Sequence, residues 1–240
     1  MNARYDRIDR LRAVALAWMT VYHFCFDLDF FGVIDQAFLT DPFWTLQRTA
    51  IVTLFLFTAG LSQAVALHQG QGWPRFWRRW AQVAGAALLV SAGSWFVFPQ
   101  SFIYFGVLHG IAVMLVIARL TGHWGRWLWP LGALALGLPW LAPAAVEAWP
   151  ALASLNQPGL NALGFITQKP FTEDYVPLLP WLGVVWWGLA AGRWVCGHRP
   201  GWLGGGGRGG FMAAWGRHSL SFYLLHQPVL MGLIWIALQA

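Results

Sequence analysis

The chain has 240 residues, of which 58% are hydrophobic and only 10% are charged. Soluble globular domains carry roughly 25% charged residues, so too few charges remain to cover a water-facing surface, and the composition argues against both a soluble and a disordered protein. The net charge is +6. In a soluble chain this excess would suggest a nucleic-acid partner, but in a membrane protein the positions of the basic residues indicate which loops face the cytoplasm.

Seven stretches are apolar and long enough to span a bilayer, which takes about 20 residues. They cover residues 11–31, 49–67, 81–98, 102–118, 127–145, 178–196 and 219–238. The first is too long for a signal peptide, contains His23, Asp27 and Asp29, and ends without a small-residue cleavage site. The sequence therefore predicts an all-α, polytopic transmembrane helix bundle of about seven spans, folded as one domain over residues 1–240.

Basic residues lie almost entirely on one side of this predicted bundle. When loops are assigned alternately to the two sides, only Arg48 and Lys169 fall opposite the other basic residues. Because basic loops stay in the cytoplasm, we predict a cytoplasmic N-terminus and a periplasmic C-terminus in a bacterial inner membrane. The glycine-rich stretch 201–210 is then a flexible cytoplasmic linker, and the long outer loop 146–177 has room for a short interfacial helix.

Three histidines, His23, His109 and His226, lie at about the same predicted depth. Counted from the nearest cytoplasmic arginine, each is roughly 14–17 Å into a hydrocarbon core about 30 Å thick. Ionisable side chains at that depth are costly and usually face a bundle interior or a water-filled cavity. Two interpretations remain open: the three line one cavity, or each is hydrogen-bonded separately to a neighbouring backbone carbonyl.

The first span carries a polar stripe. Asp27 follows His23 by four residues and Arg12 precedes it by 11, close to three whole turns, so the three share one helix face. A buried carboxylate beside an imidazole fixes the tautomer of the ring and stabilises its cation, which is the arrangement of a general base. The alternative is that Asp27 reaches the outer headgroup water and contacts nothing.

The last span is polar for a membrane helix over residues 216–228, where Tyr223, His226 and Gln227 precede Pro228. Proline cannot donate the helical hydrogen bond to the carbonyl four residues before it. A backbone group freed at membrane depth needs another partner, such as a side chain, water or substrate. The segment is therefore either a kinked structural helix or the wall of a cavity.

Several segments together resemble a known family. They are Ile8–Ala13 with His23, Tyr22–Leu28, Leu54–Ser62, Phe105–His109 and Gly216–Pro228. An arginine, ten intervening residues and a histidine, as from Arg12 to His23, resemble the opening of membrane-bound acyltransferases. The fuller match resembles the bacterial relatives in the catalytic-domain family of heparan-alpha-glucosaminide N-acetyltransferase.

This resemblance implies an acetyl-CoA-dependent N- or O-acetyltransferase acting across the membrane. Acetyl-CoA would be the co-substrate and bind from the cytoplasm, a sugar or glycan acceptor would bind from the other side, and no metal is expected. His23 is implied as base or acetyl carrier, oriented by Asp27. His109 and His226 would line the cavity or polarise the thioester carbonyl. Guanidinium groups suit the phosphates of CoA, or else they only set the topology; the candidates are Arg12, Arg75, Arg78 and Arg79.

Three other functions compete with acyl transfer. Two histidines at one depth on different helices would suit axial ligation of a haem iron. A cavity lined by histidines and Asp27 would suit a transporter or a non-enzymatic binding protein, although the internal repeat common in transporters is not visible. The third is an inactive relative that only partners another membrane protein. Acyl transfer is the preferred hypothesis.

Overall fold

The computed structural model describes residues 5–199, 201–202 and 210–239. The described part is mostly helical, as the predicted all-α class requires. Its α-helices are α1 Asp6–Phe30, α2 Pro42–His68, α3 Trp73–Val97, α4 Val107–Thr121, α5 Leu128–Gly137, α6 Ala142–Ala148, α7 Leu178–His198, α8 Phe211–Arg217 and α9 Ser219–Ala237. Most of the predicted glycine-rich linker, residues 203–209, lies outside the described residues.

All of the stretches predicted to span the membrane are helical over most of their length. Among the described residues, four helical runs can cross a bilayer by length and composition: Pro42–His68, Trp73–Val97, Val107–Ala148 and Ser219–Ala237. The run Val107–Ala148 contains the fifth predicted span and all of the fourth except residues 102–106. Between them the chain bends at Gly125, whose φ of 58° favours glycine. The total of seven spans and the orientation of the termini stay predictions.

The chain packs as two compact units, one of Met1–Phe55 with Gly201–Ala240 and one of Leu56–Pro200, so their boundary falls within α2. In the first unit α1 packs against α8 and α9. Gly216 of α8 lies so close to the backbone of Asp9 that a Cβ would collide there. Beside this contact is a buried apolar cluster formed by Leu16, Met19, Tyr22, Phe38 and Ile51. This packing brings the polar residues of α1 and α9 together.

In the second unit α7 packs against α5, α4 and the second half of α2. Gly60 of α2 and Gly188 of α7 each lie directly against the backbone of the opposite helix. Small residues at such crossings let membrane helices approach closely. This contact is therefore made by backbone rather than by interdigitated side chains.

The long loop 146–177 forms two short 3₁₀ turns, Pro150–Asn156 and Leu160–Leu163, where the sequence had room for an interfacial helix. Its end pairs with the segment before α4, since Val176 N donates to the Phe105 carbonyl at 3.1 Å. Asp174 Oδ2 accepts from Val107 N at 2.7 Å at the start of α4. A carboxylate at the N-terminus of a helix accepts from a backbone N–H that has no partner within the helix, and its negative charge interacts favourably with the helix dipole.

Two tyrosines hold this loop through Asn161, which is 1% exposed. The Asn161 amide donates to the Tyr104 hydroxyl at 2.8 Å, and the Tyr175 hydroxyl donates to the Asn161 carbonyl at 2.6 Å. Burial, and to a smaller extent the neighbouring Tyr104, raises the pKa of Tyr175. The folded loop therefore favours the protonated phenol.

We expect the free energy of unfolding to fall above about pH 10, where tyrosines of the unfolded chain ionise. Because the pKa of Tyr175 is higher in the folded chain, its contribution is complete below that pH and is lost as the pH rises toward the folded value. Melting temperatures of detergent-purified protein between about pH 8 and about pH 11 measure this loss. Tyr175→Phe should lower the free energy of unfolding by about 1 kcal/mol at the lower pH. Its melting temperature should then fall less with rising pH than that of the wild type. An equally steep fall in both proteins would contradict this assignment.

Candidate active site

Helices α1 and α9 bring together four of the residues that the sequence singled out. His23 Nδ1 lies 2.7 Å from His226 Nε2, with the two rings inclined by 23° and their centroids 4.9 Å apart. Toward the C-terminal end of α1, Gln227 Nε2 donates to Asp27 Oδ1 at 2.5 Å. The site is therefore two polar pairs, each joining the same two helices.

The spacing on each helix explains these two pairs. His23 and Asp27 are four residues apart on α1, so they present adjacent side chains on one face. His226 and Gln227 are adjacent on α9, which continues through Pro228, and they contact two positions of α1 that are one helical turn apart. Because α9 is not interrupted at Pro228, both side chains face α1 from one continuous helix.

Burial differs between the members of the site. Asp27 is 1% exposed and His226 is 7% exposed, whereas His23 is only half-buried. Within the described part of the chain, Asp27 Oδ2 and Gln227 Oε1 are buried and have no hydrogen-bond partner. Of the two histidines, His23 is therefore the residue that keeps more accessible surface.

The partner of His23 differs from the one that the sequence suggested. The i, i+4 spacing assigned the orientation of His23 to Asp27, but the Asp27 carboxylate accepts from Gln227. The ring nitrogen of His23 is instead hydrogen-bonded to His226. Spacing along α1 contains no information on what α9 presents, so this partner could be found only from the packing of the two helices.

Tyr223 contributes through its backbone. Its carbonyl lies 2.7 Å from His226 Nδ1, one helical turn before that histidine. Its ring lies edge-on to Phe55, with the centroids 6.4 Å apart, and packs at 5.8 Å from the His226 ring. The predicted cavity-lining role of Tyr223 stays a prediction. Its backbone carbonyl is the hydrogen-bond partner of His226 Nδ1.

His109 lies in the second unit, where both of its ring nitrogens are hydrogen-bonded. Ser91 Oγ donates its hydrogen to the Ile103 carbonyl at 2.7 Å, so at 3.0 Å from His109 Nε2 it accepts. His109 Nδ1 in turn accepts from Gly106 N at 3.3 Å. His109 thus closes the first turn of α4, and its predicted role toward a thioester stays a prediction.

The arginines proposed for CoA occupy two settings. In the first unit Arg12 Nη1 donates to Asp9 Oδ1 at 3.0 Å, three residues before it on α1. In the second unit Arg75, Arg78 and Arg79 lie exposed on the first turns of α3. Exposed guanidinium groups are accessible to phosphate, but their role in binding CoA stays a prediction.

The geometry of the histidine pair bears on metal and haem chemistry. Among residues 5–199, 201–202 and 210–239 there is no group of three or more His, Cys, Asp or Glu side chains that could hold a metal ion. Two axial ligands of a haem lie on opposite faces of its iron. His23 and His226 direct their nitrogens at each other across 2.7 Å, which leaves no room for iron between them.

The sequence profile described as the catalytic region of heparan-alpha-glucosaminide N-acetyltransferase matches residues 4–228. The chain belongs to this family. The resemblance predicted from its separate segments is thereby confirmed. The matched region contains every predicted site residue. No curated protein and no solved structure matches the chain. The chain is thus a member of an acetyltransferase family, and its own described helices include some that can cross a membrane.

Proposed function

We propose that the chain is an integral membrane acetyltransferase that takes the acetyl group of acetyl-CoA from the cytoplasmic side. The acceptor is a hydroxyl or amino group of a sugar on the opposite side. The family supports acetyl transfer, and the apolar helices support a membrane location. The observation that carries the choice of site is the hydrogen-bonded pair His23–His226, in which His226 is buried and His23 is half-buried.

In direct transfer, His23 acts as the general base. Its ring nitrogen takes the proton from the acceptor O–H or N–H as the acceptor oxygen or nitrogen attacks the thioester carbonyl. The carbon–sulfur bond then breaks, and the imidazolium proton passes to the departing CoA thiolate. The products are the acetylated sugar and CoA, and His23 returns to its neutral form.

In the second route, His23 carries the acetyl group. Its ring nitrogen attacks the thioester carbonyl, the carbon–sulfur bond breaks, and CoA leaves as the thiolate, so that an acetyl-imidazolium remains. The acceptor oxygen or nitrogen then attacks the acetyl carbon, its proton passes to the CoA thiolate, and His23 returns to its neutral form. Both routes need a neutral imidazole with one lone pair directed at the substrate. The role predicted for Arg12, Arg75, Arg78 and Arg79, to hold the CoA phosphates, is part of this proposal under either route.

The proposal is tested with detergent-purified protein and acetyl-CoA, without and with amino sugars. We expect saturable binding of acetyl-CoA and release of free thiol that an amino sugar accelerates. Binding is measured by calorimetry and thiol release by a chromogenic disulfide. Absence of affinity for acetyl-CoA and for other acyl-CoAs would overturn the donor assignment and favour a transporter or a structural partner.

A further inference from the structure

We infer that His226 is a positioning residue that holds His23 in the tautomer with its proton on Nδ1 and its lone pair on Nε2. The reacting nitrogen is then Nε2. This inference rests on the proposed function for the chemical role of His23. The tautomer itself follows from hydrogen bonds and is measurable without turnover.

The first step concerns His226 Nδ1, which lies 2.7 Å from the Tyr223 carbonyl oxygen. A backbone carbonyl only accepts hydrogen bonds, so His226 Nδ1 carries a hydrogen. A neutral imidazole has one N–H, and the other nitrogen keeps a lone pair. His226 Nε2 is therefore an acceptor.

The second step concerns His23 Nδ1, which lies 2.7 Å from that acceptor. Two lone pairs do not form a hydrogen bond at this distance, so His23 Nδ1 must donate. The single N–H of the neutral His23 ring is then on Nδ1. His23 Nε2 is left with a lone pair, which is the form that both proposed routes require.

The two histidines differ in their contacts and in their exposure, which supports His226 as the positioning residue. His226 is 7% exposed, its ring stacks on Phe222 at 6.0 Å and it packs against Tyr223 at 5.8 Å. His23 is half-buried. The hydrogen bonds therefore run from His23, the more exposed of the two residues, through the buried His226 to a backbone carbonyl.

These linked hydrogen bonds orient the proposed base, His23, with uncharged groups. Where a carboxylate partners a catalytic histidine, as in serine-protease triads, it fixes the tautomer and stabilises the cation. Here a neutral ring and a carbonyl fix the tautomer, and Asp27 is directed at Gln227. An uncharged acceptor avoids the cost of placing an ion in a low-dielectric interior, and linked hydrogen bonds polarise one another.

The tautomer is tested by NMR of protein labelled with ¹⁵N only at histidine, in which the two ring nitrogens have different shifts when protonated and unprotonated. The His23 signals are assigned by their loss in His23→Asn. We expect Nδ1 of His23 to be the protonated nitrogen in the neutral protein. A hydrogen on Nε2 of His23, with Nδ1 unprotonated, would overturn the inference.

Variants at His226 separate positioning from packing. His226→Ala removes the acceptor and should give His23 a mixture of tautomers, with kcat for CoA release falling in proportion to the fraction of rings that keep the lone pair on Nε2 and KM nearly unchanged. His226→Gln places an amide oxygen near the former Nε2 and should restore both the tautomer and much of kcat. A tautomer that is unaffected by His226→Ala would contradict the positioning role.

Asp27→Asn supplies the matched comparison, because an asparagine oxygen can still accept from Gln227. We expect the His23 tautomer to be the same in this variant as in the wild type; a changed tautomer would return the orienting role to Asp27, as the sequence suggested. If the expected tautomer is observed but the wild type releases no CoA, the proposed function fails while the hydrogen-bond inference stands.

Discussion

Replacing His23 by alanine is expected to lower acetyl transfer by about 10²–10⁴-fold, the usual contribution of a positioned acid or base. Acetyl-CoA should still bind, because the side chain removed is the one that acts on the bond being broken, whereas the proposed CoA contacts are arginines. The measurement is thiol release and acetyl-CoA affinity for both proteins under the same detergent conditions. The expected result is a loss in kcat without a matching loss in binding.

The alanine variant also leaves His226 Nε2 without its donor, so a second substitution is needed. His23→Asn keeps an N–H near the position of Nδ1 but has no ring nitrogen at Nε2, and it should be folded and inactive. His198→Ala, at the exposed end of α7, is the control and should retain full activity. Turnover in His23→Asn near the wild-type rate would exclude His23 as base and as acetyl carrier.

The helices were predictable because their signal is local. Apolar runs of sufficient length identify a helix wherever the backbone must satisfy its own hydrogen bonds, and the structure is helical in each predicted stretch. The bend at Gly125 between α4 and α5 was not predicted. A positive φ at glycine follows from how neighbouring helices pack, and the sequence Gly-His-Trp-Gly does not specify it.

The site was predictable in composition but not in pairing. His23, Asp27, His226 and Gln227 were singled out because polar groups at membrane depth are costly. Which of them pair depends on the rotation of α1 against α9, a long-range property. His109 shows the same limit, since its depth resembled that of the other two histidines, yet its nitrogens bind Ser91 and Gly106.

One packing signal was present in the sequence and was missed. Gly188 and Gly192 have the spacing of small residues that lets two membrane helices approach. A Cβ at Gly192 would lie 2.6 Å from that of Ala64, and one at Gly60 would lie 2.8 Å from Leu189 N. The close contact between α2 and α7 therefore needs glycine on both helices.

We expect Gly188→Ala to destabilise the second unit by about 1–3 kcal/mol or more, the usual cost of overpacking. The added Cβ would overlap the Phe57 carbonyl oxygen and lie 3.0 Å from the Phe57 carbonyl carbon. These are backbone atoms, which move only if α2 and α7 separate. Melting temperature and the monodisperse fraction on size exclusion, both in detergent, measure the loss.

Gly197→Ala on the same helix is the matched control, because no atom lies within 4 Å of a Cβ built there. Alanine is the better helix former by about 1 kcal/mol in a helix interior, so this variant should melt at or slightly above the wild-type temperature. Gly60→Ala, which introduces the methyl group from the opposite helix, should be destabilised like Gly188→Ala. Equal melting of Gly188→Ala and Gly197→Ala would mean that α2 and α7 do not meet at these glycines.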